Sequence, residues 1–171
     1  MKTILFNIFL ISMGLSQLKV NTIAPNFTLN DANEIPHTLS DYQGQFVILY
    51  FYPRDNTPGC TMEACNFRDK FSEFRAHNAI ILGVSWDSPK KHASFTEKYS
   101  LPFTLLSDNR GEVSKKYDAA GWFMPKRYTY IINPKGEIIK IYTKFDISAH
   151  SEEIITFIKS ISAPSTESIS N

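Results

Sequence analysis

Apolar and polar positions along this chain fall into two kinds of block. Residues 45–52 (QFVILYFY) form an unbroken β-branched and aromatic run, the pattern of a strand buried on both faces. Ala64, Phe67, Phe71 and Phe74 then recur at three- and four-residue steps and predict one helix with an aromatic stripe. A second buried strand follows at 79–85 (AIILGVS), and Ser88-Pro89 opens a helix to about residue 99, proline being tolerated in the first helical position. Residues 101–108 give a third strand and 111–119 a short helix. RYTYIIN and EIIKIYT flank the turn Asn133-Pro134-Lys135-Gly136 and predict a hairpin. An amphipathic helix over about 148–159 closes the pattern, and a small hairpin around 26–31 and 35–38 opens it. This order implies an α/β fold: a central mixed β-sheet flanked by helices on both faces.

Length and composition narrow the reading. One domain accounts for 171 residues, and 43% hydrophobic content suffices for a core. With 18 Lys and Arg scattered among 17 Asp and Glu, no basic stripe exists for nucleic acid. His37, His77, His92 and His150 stand apart, against the clustered His and Cys of a zinc site, so no metal is expected. Residues 1–16 combine an early Lys2, an apolar run and small residues Gly14 and Ser16, the layout of a secretory signal; an ordinary helix or uncleaved anchor is the alternative. Cleavage would leave a domain over 17–160, exported to the periplasm without stable membrane association. Without cleavage the chain is expected in the cytoplasm. Residues 161–171 are small and polar and read as a tail.

Both cysteines sit in PRDNTPGCTMEAC (residues 53–65), between the first strand and the striped helix. Thr57-Pro58 reads as an N-cap followed by proline at the first helical position, which puts Cys60 in the first turn. Free backbone N–H groups and the positive end of the helix dipole favour a thiolate there, the nucleophilic form of the side chain. A small buried hydrophobe is the bland alternative. Carrying the stripe back four residues from Ala64 lands on Cys60, facing the protein body, while Cys65 falls on the solvated side with Asp69 and Ser72.

Five residues along an intact helix separate two Cα atoms by about 8.7 Å. A disulfide spans at most about 6.8 Å. The pair is therefore either a permanent staple in a segment that is not helical, or a nucleophile and a resolving partner that meet only when the first turns unwind. A peroxide O–O bond is the simplest target for such a thiolate, and the departing oxygen then needs a cation or fixed donors. Thr57, the amides near Gly59 and Cys60, and a distant arginine such as Arg127 all qualify; Arg54 and Arg68 read as surface charges. Glu63 either orders the active-site loop or complements the helix N-terminus, and the second is the favoured reading. The loop Gly121-Trp122-Phe123-Met124-Pro125 either lines the substrate mouth or plugs the sheet end.

These segments resemble the peroxiredoxins. The P-x-x-x-T-x-x-C pattern is carried by Pro53, Thr57 and Cys60, and the second cysteine five residues on is similar to the peroxiredoxin Q or bacterioferritin-comigratory-protein subfamily. The likeness extends through LKVNTIAPNFTL, LSDYQGQFVILYFYP, GVSWDSPKKHASFTEKY, LPFTLLSD and RYTYIINPKGEI. It implies a thioredoxin-like fold and an antioxidant thiol peroxidase acting on hydrogen peroxide and organic hydroperoxides. Cys60 matches the peroxidatic thiol and Cys65 the resolving thiol of an intramolecular disulfide. Thr57 matches the hydroxyl that positions the peroxide, Pro53 the residue that shields the pocket, and Arg127 the arginine that stabilises the thiolate. The resemblance further implies a monomer, no cofactor, and re-reduction by thioredoxin or a thioredoxin-like protein. Asn21-Thr22 stand where relatives often carry Gly-Asp, and the N-terminal extension is unusual for a largely cytoplasmic subfamily. A thiol–disulfide oxidoreductase acting on proteins is the alternative, against which the lack of C-x-x-C counts. An exported binding domain with a stapled loop is the third reading.

Overall fold

The computed structural model describes residues 17–162; the expected signal and most of the expected tail lie outside them. Eight strands form one mixed sheet: β1 (Thr22–Ile23), β2 (Thr28–Asp31), β3 (Pro36–Thr38), β4 (Phe46–Phe51), β5 (Ala79–Ser85), β6 (Thr104–Ser107), β7 (Tyr128–Ile132) and β8 (Glu137–Tyr142). Their order across the sheet is β1-β8-β7-β4-β5-β6-β2-β3. The central strands β4, β5 and β6 run parallel, and all the outer pairings are antiparallel. Among the described residues the α-helices are α1 (Pro58–Asp69), α2 (Phe71–Ala76), α3 (Pro89–Tyr99), α4 (Glu112–Lys116) and α5 (His150–Ser162).

Strand β4 shows why its run is continuously apolar. Ile48, Tyr50 and, just past the strand, Tyr52 face a core shared with Phe67 and Phe74 of the α1–α2 arm, Phe95 of α3 and Ile154, Ile155 and Ile158 of α5. Val47, Leu49 and Phe51 face a second core with Val113 of α4, Tyr117, Tyr130 and the N-terminal residues Ala24 and Phe27. Alternate residues of one strand thus enter two cores, and neither face is left to water. Close packing of the first core depends on Gly83, paired with Tyr50, because a Cβ there would stand 2.6 Å from the Tyr50 ring.

Two expectations are corrected, and two elements had not been anticipated. The striped helix is two helices: Lys70, at φ −100° and ψ 4°, leaves the helical region and separates α1 from α2. Phe67 and Phe74 are both fully buried across that break, which is why the stripe read as continuous. The last helix starts at His150, after a turn in which Asp146 accepts from the Ser148 amide, and it continues to Ser162 instead of stopping near 159. Strand β1 and the 3₁₀ turn Leu39–Tyr42 carried no sequence signal strong enough to read.

Candidate active site

The chain leaves β4 through Tyr52 and enters α1 at Pro58, so the sheet's C-terminal edge and a helix N-terminus meet at residues 53–60. Asn56, at φ 59°, takes the left-handed conformation that turns the loop, one that asparagine tolerates better than most side chains. Thr57 is extended and Pro58 is the first helical residue, as the sequence implied. The Thr57 hydroxyl, however, donates back to the Arg54 carbonyl at 3.0 Å and does not cap the helix. The first helical bond runs from the Thr61 amide to the Thr57 carbonyl, which leaves the Gly59 and Cys60 amides without helical acceptors.

Cys60 is 2% exposed and faces the core, whereas Cys65 is half-buried on another side of the same unbroken helix; both thiols are free. Arg127, immediately before β7, reaches across from the neighbouring strand. Its Nη2 donates to Cys60 Sγ at 3.2 Å and its Nη1 donates to Glu63 Oε2. Of the arginines considered, the fold brings this one to the thiol; Arg54 is exposed and Arg68 pairs with Asp69.

Glu63 corrects its assignment as a dipole complement. It is 1% exposed, one turn beyond Cys60, and shares the Arg127 guanidinium with the thiol. Burial pushes its carboxyl up to about 7, against the pull of Arg127. Burial also opposes the charge of Arg127, but Glu63 and Cys60 together more than offset it and raise that group. An acid on the buried stripe of an otherwise aromatic helix face was the available signal, because buried glutamates are rare unless paired. Behind the pair the walls are aromatic: the Tyr50 ring lies 4.9 Å from Phe67 and 5.3 Å from Tyr52. The Tyr50 hydroxyl and Glu63 Oε1 are buried there without hydrogen-bond partners. With Cys60 buried, its interaction with Arg127 is screened less than a surface pair would be.

On the other flank, His150 stacks on Phe145 at 3.5 Å and its Nε2 shares a hydrogen bond of 2.8 Å with the Thr129 hydroxyl. Burial, reinforced by the charge of Arg127, lowers its pKa to about 3. Asn66 donates to the Ile147 carbonyl at 3.0 Å and fastens α1 to the segment before α5.

Pro53 is half-buried and, with Arg54, Trp86, Asp87, Lys91, Phe123 and Met124, lines a recess of about 260 Å³. Trp122 is 94% and Phe123 85% exposed, so the aromatic loop is not a plug over the sheet end. The sequence also gave no sign of a buried Tyr52–Asp55–His92 cluster beneath the loop, whose members lie up to 40 residues apart.

Comparison with known proteins places this arrangement. The AhpC/TSA family model matches residues 20–141. Peroxiredoxin Bcp of Bacillus subtilis is 37% identical over 155 residues, covering 85% of this chain and 98% of that protein. The chloroplastic peroxiredoxin Q of Arabidopsis thaliana is 42% identical over 152 residues, covering 85% and 70% respectively. Among solved structures, the bacterioferritin comigratory protein of Xanthomonas campestris, studied for its alkyl peroxide reduction activity, superposes with a TM-score of 0.80 at 27% identity, covering 85% of this chain and all of that one. Sheet, helices and relatives agree on the thioredoxin-like peroxiredoxin fold. The chain belongs to the AhpC/TSA family, within its peroxiredoxin Q and Bcp group.

Proposed function

We propose that the protein is a thiol peroxidase in which Cys60 attacks hydrogen peroxide or an organic hydroperoxide. The observation that carries this is a buried thiol in the first turn of a helix with a guanidinium N–H 3.2 Å from its sulfur. Arg127 and the free amides of the first turn favour the thiolate and stand ready for charge developing on the oxygens. The sulfur takes one oxygen as the O–O bond breaks. The other oxygen leaves as water or an alcohol with the proton that the thiol released, and Cys60 becomes a sulfenic acid. Pro53 walls the approach from the recess side, and the Thr57 hydroxyl can turn from Arg54 toward the peroxide.

Cys65 then attacks the sulfenic sulfur, an S–S bond forms and water departs. While α1 stands, the two residues are about 8.7 Å apart by helix geometry, so this step opens the helix between them. A thioredoxin or thioredoxin-like dithiol supplies two electrons by exchange and restores both thiols. Export by residues 1–16, and action as a monomer in the periplasm, complete the reading; intact mass of the native protein tests the cleavage.

Cys60→Ser should abolish peroxide-dependent thiol loss. Cys65→Ser should keep the first oxidation and stop turnover. Wild-type rates in both variants refute the assignment. Insulin reduction at the rate of a dithiol reductase would favour the oxidoreductase reading instead.

A further inference from the structure

Beneath the loop that carries Pro53 and Thr57 lies a buried polar cluster that the chemistry above does not use. Asp55, 6% exposed, accepts from the Tyr52 hydroxyl at 2.7 Å, and its other carboxylate oxygen faces His92 Nδ1 at 2.8 Å. Its backbone amide donates to Asp87 Oδ2 at 2.9 Å. Asp87 is fixed in turn by the Ser85 hydroxyl at 3.0 Å and by Lys91 at 3.2 Å. His92, on α3, is wholly buried, and its Nε2 faces the Leu106 carbonyl of β6 at 3.2 Å. Asp55 is an acceptor, so the ring holds it by donating from Nδ1.

Burying such a pair is an expensive way to gain stability, since well-packed apolar residues of the same volume do as well or better. What it does supply is geometry. Asp55 sits two residues after Pro53 and two before Thr57, in a loop with few other ties to the body: Asn56 is held only by an exposed bond from Lys98 at 3.3 Å. The cluster fixes the loop to β6, to α3 and to the turn after β5 at once. The start of α1 hangs from that loop, and with it the placement of Cys60 against Arg127.

We propose that His92 is a positioning residue for the thiol site: by gripping Asp55 it holds the 53–57 loop, and so holds Cys60 at hydrogen-bond distance from Arg127. This rests on Cys60 being the attacking thiol. The grip lies upstream of Cys60, whereas the turns that must open for Cys65 to arrive lie downstream. Loss of the grip therefore slows the first oxidation and leaves the closure step alone.

The test is stopped-flow fluorescence of Trp86 and Trp122 on the full reduced chain mixed with hydrogen peroxide, which separates the second-order oxidation from the first-order disulfide closure. His92→Gln should slow oxidation at least tenfold, since ångström-scale misplacement costs up to about 100-fold. Closure should stay within about twofold of wild type, the margin this kinetic split is designed to resolve. Asp55→Asn, which keeps the volume and the acceptor for Tyr52, carries the same expectation and decides the matter if His92→Gln does not fold. A folded variant that oxidises at the wild-type rate, or an equal slowing of both steps, overturns the proposal. None of these outcomes touches the result for Cys60→Ser, so the positioning role can fall while the peroxidase reading stands.

Discussion

Replacing Glu63 with Gln keeps the size of the side chain and an oxygen to meet Arg127, but removes a titrating group from the core. The folded glutamate holds a proton up to about pH 7, whereas an unfolded one releases it near 4.5. Between those values the folded state binds one proton more, so this group's contribution is full below 4.5 and is lost as pH rises through 7. His150 works in the opposite sense. It stays neutral in the fold down to about 3 and protonates near 6.5 when unfolded, so its contribution is full above 6.5 and is lost as pH falls. From pH 4.5 to 6.5 the two slopes are equal and opposite at about 1.4 kcal/mol per pH unit. They cancel in the wild type. In the Glu63→Gln protein the His150 slope stands alone, and the stability difference from wild type should climb by about 3 kcal/mol over those two units. Urea unfolding at half-unit pH steps, with excess dithiothreitol to keep the thiols reduced, measures this directly provided the m value is unchanged. Taking the difference removes every other titrating group. A difference that stays flat from pH 4.5 to 7 would mean that Arg127 keeps Glu63 ionised throughout, and the account of burial outweighing attraction would be refuted.

Two further outcomes concern packing. Gly83→Ala puts a Cβ 2.6 Å from Tyr50 Cζ and 2.7 Å from Leu105 Cδ2 in the middle of the sheet, and should cost about 1–3 kcal/mol in the same unfolding assay. No loss would show that the Tyr50 ring, whose hydroxyl has no partner, moves aside freely. Trp122→Ala should leave stability within about 0.5 kcal/mol, because a side chain 94% exposed has little packing to lose. A larger drop would restore the plug reading.

The fold was legible wherever period and punctuation agree. The apolar run of β4, the proline-opened α3 and the turn at Asn133–Gly136 each announce themselves within a few residues. The break at Lys70 was not legible, because Phe67 and Phe74 keep a helical spacing across it and nothing local forbids the helix from continuing. At the site, Cys60, Thr57 and Pro53 come from one short segment and could be read together. The choice of Arg127 over nearer arginines needed either the family pattern or the sheet, which pairs Phe51 of β4 with Tyr128 of β7, 77 positions further along the chain. Glu63 was misread because a helix's first turn is a common place for an exposed acid, and only the fold shows which way this one points. Asp55 and His92 meet through three separate elements, and no periodicity reports that.

The interruption at Lys70 limits how far damage to order can travel. Helices melt cooperatively because each turn supports the next, and an unbroken rod from residue 58 to 76 would pass fraying near its start toward the Phe74 anchor. Two short rods joined by a non-helical residue do not share that cooperativity. In the proposed cycle the second keeps its grip on the sheet while the first turns of α1 open and re-form, which confines the disturbance to one turn or two and leaves the remaining architecture at rest.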